Sequence, residues 1–539
     1  MHVAWRPAIL LVGIISLFFI FGLWNAGNQD LVGDESSYSF RSVGYLDYLG
    51  TSAQTQPVDW YNGQPLPWWT HLSFHDHPPL VFLIQHLFFS IFGDSIFVAR
   101  LPSIFAGVVS ILLLYLIIKK LFRSNALAFG AAFLFAVDGA MVWISRTALM
   151  EPIFLCLTLL NIFFFLQFLE QKKYFWLFGI TLGLVLLTKY IGIFLLPLYA
   201  IYLLFSRKRE VFKSWQTYAV LFLVIIVLSP VILYNVYLYK ARGHFDLQIA
   251  YALGQKTPEW SGLLGKIQSP FSEISLNLKN TYGFPTLALA GFGFLSSVIS
   301  FWKTRSREIL FVWLYVGCLT LLLVVIGSAP RFLSLYGPAF AILGAFALVT
   351  LWRDAISRRG AVVVWIALIL LFSLEKNFVE REDYGVAKLD HYFEAQFQGQ
   401  ESAVIPESEN SHLNEVINSF AKKKSPESPR AFSMIVYDEN IGISTLLWVI
   451  DRRFFYHSIP TLYVQNFREL LAKEGSAFFK PFTLYFVEST PDTILNPFKL
   501  EKTAGRDFEM ELIKKDLKPD QVIYGHDQLP MFRIYKFTI

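Results

Sequence analysis

With 539 residues, of which 55% are apolar, 17% aromatic and 16% charged, the chain is too rich in hydrocarbon for a water-soluble globular protein. It reads as a polytopic α-helical membrane protein. A formal net charge of +5 says little by itself, because in such a chain the distribution of Lys and Arg matters more than their sum, and no nucleic-acid partner is expected. The only two cysteines, Cys156 and Cys318, fall inside apolar runs where a thiol behaves as a small hydrophobe, so no disulfide and no sulfur-based metal site is expected.

In chain order, an apolar run from about Ala8 to Trp24 is long enough to cross a bilayer and is read as a retained helix with its Arg6 end in the cytoplasm. A polar, aromatic segment follows, holding Asp30, Asp34, Glu35, Asp47, Asp59 and Asp76 against the single basic residue Arg41, which places a first outer loop over about 25–94. Within it, Pro79 to Phe92 suits a helix lying in the membrane interface. Ten further apolar runs, near 95–118, 126–144, 152–169, 174–188, 190–205, 216–238, 284–302, 308–327, 332–352 and 361–375, bring the expected total to about eleven spanning helices. Threaded from a cytoplasmic start, they put Lys119, Lys172/Lys173, Arg207/Lys208/Arg209, Lys303/Arg305/Arg307 and Arg353/Arg358/Arg359 on one side, the cytoplasmic one. The odd count then leaves residues 376–539 outside, after a membrane domain of residues 1–375. Short β-branched or aromatic runs at Phe432–Tyr437, Phe482–Val487 and Phe532–Phe537, with helical patterns at Ile441–Ile450 and Val464–Leu471, predict a small extracytoplasmic α/β domain. Ser408–Pro429 reads as a surface loop. There is no nucleotide-binding glycine motif, no CxxC and no tandem repeat.

The remaining unusual charges fall together on the outer side. Asp34 and Glu35 sit at the mouth of the first span, Arg146 and Glu151 in the connection after the third, Lys189 after the fifth, Arg331 at the start of the tenth, and His75-Asp-His-Pro-Pro79 closes the first loop. Taken singly, a lysine at a helix end snorkels and Arg146 could pair with Glu151 as a structural bridge. Jointly they suit an anionic lipid head group held by Lys189, Arg331 and Arg146, with carboxylates handling a sugar hydroxyl or a proton. His75 and His77 are either interface histidines or, with Asp76, ligands for a divalent metal.

The ordered set Gly33-Asp-Glu-x-x-Tyr38, Asp76-His-Pro-Pro79, Phe92-Gly-x-x-x-Phe-x-x-Arg-Leu-Pro102, Arg146-x-x-x-x-Glu-Pro152 and Pro330-Arg-Phe332 resembles the integral-membrane glycosyltransferases of the C fold, in the protein O-mannosyltransferase and aminoarabinose transferase superfamily. The resemblance covers roughly residues 8–375. It implies a GT-C fold and inverting transfer of one sugar from a polyprenyl-monophosphate donor to a hydroxyl acceptor (protein Ser/Thr, glycolipid or polysaccharide) at the outer face of the cell membrane. It maps the active-site acid of the first outer loop onto Asp34, with Glu35 beside it, and a second acid onto Glu151. Lys189, Arg331 and Arg146 would hold the donor phosphate, Asp76, His77 and His75 would contact donor, acceptor or a metal, and no cofactor is required. Glu151 stands where the family often has Asp, and Asp76-His77 where the aminoarabinose branch has an acid–lysine pair. The alternatives are a transporter or flippase of a lipid-linked sugar, for which Asp138 is the main mid-span candidate, and a structural membrane subunit.

Overall fold

The computed structural model describes residues 5–50, 54–61, 64–259, 271–352, 356–379, 383–397, 433–457, 459–480, 482–490, 502–525 and 528–539. The expected surface loop Ser408–Pro429 lies outside them. Each of the eleven apolar runs is helical. Among the described residues, seven helices are long and apolar enough to cross a membrane: Ile96–Phe122, Glu151–Glu170, Trp215–Arg242, Ser272–Thr304, Arg307–Ile326, Pro330–Trp352 and Arg359–Val379. Asn125–Val137 and Gly139–Ser145 make an eighth if that pair, bent by 62°, is one span. Pro7–Leu23, Phe175–Thr188 and Tyr190–Phe205 are apolar but shorter.

Two local devices shape the bundle where it matters for the site. Asp138 stops one helix and starts the next, since its Oδ1 accepts the N–H groups of Ala140 and Met141 at 3.0 and 3.2 Å while Oδ2 accepts the Thr286 hydroxyl at 2.8 Å. A carboxylate capping the orphan donors of a helix start needs no ion pathway to explain its place among the spans. The bend it makes carries the chain toward Arg146 and Glu151. Gly293 lets Phe271–Thr304 lie backbone to backbone on Gly337–Trp352, because a Cβ there would overlap the Leu343 carbonyl.

The C-terminal part is the small α/β unit expected. Strands β1 (Ser433–Tyr437), β2 (Thr461–Tyr463), β3 (Thr483–Ser489), β4 (Gln521–Tyr524) and β5 (Pro530–Phe537) form one sheet in the order β2-β1-β3-β5-β4. β1 runs parallel to both β2 and β3, while β5 is antiparallel to β3 and β4. Alternation sends Met434, Val436, Leu484 and Phe486 to a core shared with Phe467 and Phe508 of helices Val464–Glu474 and Ala504–Lys514. Ile435, Tyr485 and Val487 face the other way, into a core that also holds Phe393 of helix Val386–Phe397 and Leu31, Phe89 and Ile96 of the membrane part. The sheet unit is thus packed onto the first loop. Asp30 of that loop accepts the N–H groups of Tyr384 and Ala387 at 2.5 and 2.7 Å, capping helix Val386–Phe397. His457 meets Asp94 at 2.6 Å, and Arg452 bridges the Asp94 carbonyl and Asp390.

Candidate active site

Helix Asp34–Gly44 begins at Gly33, whose φ of 56° and ψ of −127° lie where a side chain is strained. Its period puts Asp34, Tyr38 and Arg41 along one face and Glu35 and Ser42 along another. The first face meets the charges gathered from the rest of the chain. Glu151 opens the helix Glu151–Glu170, Lys189 ends Phe175–Thr188, and Arg331 lies in the turn Pro330–Leu333. Lys189 Nζ donates to Glu151 Oε1 at 2.5 Å, Arg331 Nε lies 3.8 Å from the same oxygen, and the Arg331 guanidinium pairs with Asp34. Both cations also lie against the Phe332 ring, at 4.9 and 5.1 Å from its centroid.

Burial divides the labour within this group. Glu151 is 0% exposed and its Oε2 has no hydrogen-bond partner among the described residues, whereas the Asp34 side chain is 41% exposed and open to an incoming molecule. Two cations and two carboxylates balance in charge, so an added phosphate would have to compete with a carboxylate for Arg331.

The structure takes two expected site residues elsewhere. Glu35, expected to share catalytic duty, is buried on that other face, where its carboxylate receives Arg100 Nε and Nη2 at 3.3 and 3.1 Å and the Ala148 N–H at 2.5 Å. Arg100 also donates to the carbonyls of Ala26, Gln29 and Asp30, so this pair ties the Asp34 helix to the loop that carries Glu151. Arg146, expected at the donor phosphate, instead donates to the carbonyls of Trp24 and Asn377 and to Gln29, with Phe378 beneath its guanidinium. It closes the space between the first helix and the last span.

Asp76 and the two histidines form a second cluster with partners that were not foreseen. Arg41, 0% exposed, donates to Asp76 at 2.6 and 3.1 Å and to Asp47 at 2.5 Å, and its Cζ lies 4.7 and 4.8 Å from the ring centroids of Phe74 and Phe82. His75 Nδ1 lies 2.8 Å from Asp47, and His77 lies between Asp76 at 3.0 Å and the Tyr38 hydroxyl at 3.2 Å. Burial would push the Asp76 carboxyl up, but Arg41 and His77 outweigh it and hold it well below the usual range. His75 is raised because Asp47 outweighs its desolvation. Tyr38 stays a phenol far above its ordinary range, through burial first and then through Glu151 and Asp76.

Asp47, His75 and Asp76 have the spacing of a metal triad, in which Asp47 replaces the expected His77. The donor set does not fit a divalent cation, because the Arg41 guanidinium already lies between its two carboxylates. Arg41 was the one basic residue in an acidic loop, and its place seven residues after Asp34, two helical turns along, was the available signal. Arg100 was visible in the Phe92–Pro102 motif.

Residues 76–234 match the family described as dolichyl-phosphate-mannose-protein mannosyltransferase. The chain superposes on the crystal structure of ArnT from Cupriavidus metallidurans bound to undecaprenyl phosphate with a TM-score of 0.58 at 12% identity, covering 99% of this chain and 98% of that one. The fold is that of the GT-C glycosyltransferases. A second GT-C structure, the archaeal oligosaccharyltransferase AglB from Archaeoglobus fulgidus in complex with an inhibitory peptide and a dolichol-phosphate, matches with a TM-score of 0.52 at 14% identity, over 90% of this chain and 69% of that one. In sequence, the undecaprenyl phosphate-alpha-4-amino-4-deoxy-L-arabinose arabinosyl transferase of Pseudomonas paraeruginosa is 27% identical over 227 residues, which is 41% of this GT-C chain and 39% of that protein's length.

Proposed function

We propose that the protein is an inverting glycosyltransferase that moves one sugar from a polyprenyl-monophosphate donor to a hydroxyl acceptor at the outer face of the cell membrane. The observation that carries the reading is the meeting of Asp34, Glu151, Lys189 and Arg331, drawn from four separate segments, at the mouth of the bundle. The donor phosphate takes Arg331 from Asp34 and binds against Lys189. Asp34, freed of its partner, accepts the proton of the acceptor hydroxyl as the acceptor oxygen attacks the anomeric carbon. The bond from that carbon to the phosphate oxygen breaks with its electrons going to the phosphate, where the two cations stabilise the charge. Glu151, closed to solvent behind them, fixes both cations. Fixed cations serve where a metal would, so no step needs one. Two similar proteins were solved with undecaprenyl phosphate or a dolichol-phosphate bound, which supports a lipid-phosphate donor. The outer placement rests on the basic short loops, which fall on the other side.

The test is single-turnover sugar transfer and donor-analogue binding by the same purified variant in lipid nanodiscs. Asp34→Asn keeps the shape and removes the base, so turnover should fall by about 10²–10⁴ while donor binding persists. Undiminished transfer by Asp34→Asn would remove Asp34 from this role. A wild type that moves the lipid-linked sugar across the bilayer without transferring it would be a flippase.

A further inference from the structure

The sheet unit reaches the catalytic helix at its first residue. Ser444 Oγ accepts the Gly33 N–H at 2.9 Å, one peptide before Asp34. Ser444 belongs to the segment that leaves the carboxyl end of β1, a strand with parallel neighbours on both sides, and it is this end of an α/β sheet that delivers functional loops. The segment is fixed from beneath: Ile441, Trp448 and Val449 are buried in the core that also contains Leu31, two residues before Gly33. Farther along the same helix, the Tyr456 hydroxyl donates to the Phe40 carbonyl at 3.1 Å and the Phe455 ring lies 5.6 Å from that of Phe40.

Gly33 has no side chain with which to cap the helix, the Ser36 hydroxyl donates to its carbonyl at 2.7 Å, and its backbone conformation is one that only glycine adopts without strain. Nothing lies within 4 Å of where a Cβ would be. The conformation is therefore selected by the chain and by two hydroxyls, Ser36 on the Gly33 carbonyl and Ser444 on its N–H, not by crowding. Without the Ser444 hydroxyl, the Gly33 peptide can turn and carry the Asp34 carboxylate with it.

We infer that the sheet unit is part of the catalytic apparatus, with Ser444 as a positioning residue that holds the Gly33 peptide and, through it, Asp34. This rests on Asp34 being the base. The experiment measures kcat and donor KM for the full-length protein in nanodiscs, carrying Ser444→Ala, Ser444→Thr, Gly33→Ala or the pair Ser444→Ala/Gly33→Ala, with Asp34→Asn alongside. Ser444→Ala should lower kcat roughly tenfold with donor KM unchanged, since a small misplacement of a reacting group is costly and the phosphate contacts are elsewhere. Ser444→Thr, which retains a hydroxyl, should recover most of the loss. Gly33→Ala, made outside the sheet unit, should reproduce the fall, and the double variant should lose little more than either single one because both disturb one peptide. If Ser444→Ala and Gly33→Ala kept the wild-type kcat while Asp34→Asn lost it, the positioning role would be wrong and the base would stand. An active Asp34→Asn would instead overturn the base. Should Ser444→Ala fail to fold, Ser444→Thr and Gly33→Ala still decide the matter.

Discussion

Lys189 combines a buried ion pair with the donor-binding role proposed above. Its ammonium lies 2.5 Å from Glu151, a carboxylate with 0% exposure, and the only other cation near that oxygen among the described residues is Arg331 at 3.8 Å. Lys189→Ala leaves this buried charge nearly uncompensated, and removing one member of such a pair typically costs about 3–5 kcal/mol. The expected outcome is a large drop in thermal midpoint together with weaker donor binding. Adding Glu151→Gln to Lys189→Met removes both charges, so the double variant should regain much of the midpoint and still fail to bind donor. A double variant that binds donor as the wild type does would make Lys189 a purely structural cation. Differential scanning fluorimetry and a donor-analogue titration on the same preparations separate the two effects.

Among the elements, the bent pair Asn125–Val137 and Gly139–Ser145 determines where the Arg146–Glu151 loop emerges. The bend depends on Asp138, whose carboxylate takes two helix-start N–H groups and the Thr286 hydroxyl. Asp138→Ala should cost about 0.5–2 kcal/mol, the usual range for a lost cap, and should lower kcat by shifting Glu151. Asp138→Ser can still accept from the helix start and should recover most of both losses. A proton-coupled transport route through Asp138 predicts the opposite for serine, which cannot carry charge. Stability and transfer rate of the two variants decide between cap and carrier.

For the whole molecule, the docking of the sheet unit on the first loop should depend on pH. Asp451 is buried beside Gly50 in that interface, its Oδ2 has no hydrogen-bond partner among the described residues, and burial pushes its carboxyl up to about 8 from 3.8. Between those values the folded protein keeps a proton that the unfolded chain has released. Stability therefore falls as pH rises through about 8 and levels off above it, and the contribution is fully present only below the unfolded value. Hydrogen exchange of β1 and β3 in the intact protein should accelerate over that window. Asp451→Asn, neutral throughout, should flatten the dependence; an unchanged slope in that variant would assign the effect to another group.

What the sequence determined by itself was whatever depends on local chemistry. Apolar runs specified the helices, because bilayer-length hydrocarbon must be helical, and short β-branched runs specified β1, β3 and β5. Charges that face one another across the site, Asp34, Glu151, Lys189 and Arg331, were legible because each breaks the composition of its surroundings. Whether an oddly placed charge meets substrate or another charge was not legible. Glu35 and Asp34 are adjacent in sequence, yet the helix turns one toward the cleft and the other onto Arg100, 65 residues away. Arg146 carries the same charge as Arg331 but is surrounded by backbone carbonyls. Arg41 fills the metal-like triad from within, and Ser444 reaches Gly33 across 411 residues of chain. Such long-range pairings are decided by packing, since burial forces each charge and each backbone donor to find whichever partner the tertiary structure brings within hydrogen-bond reach.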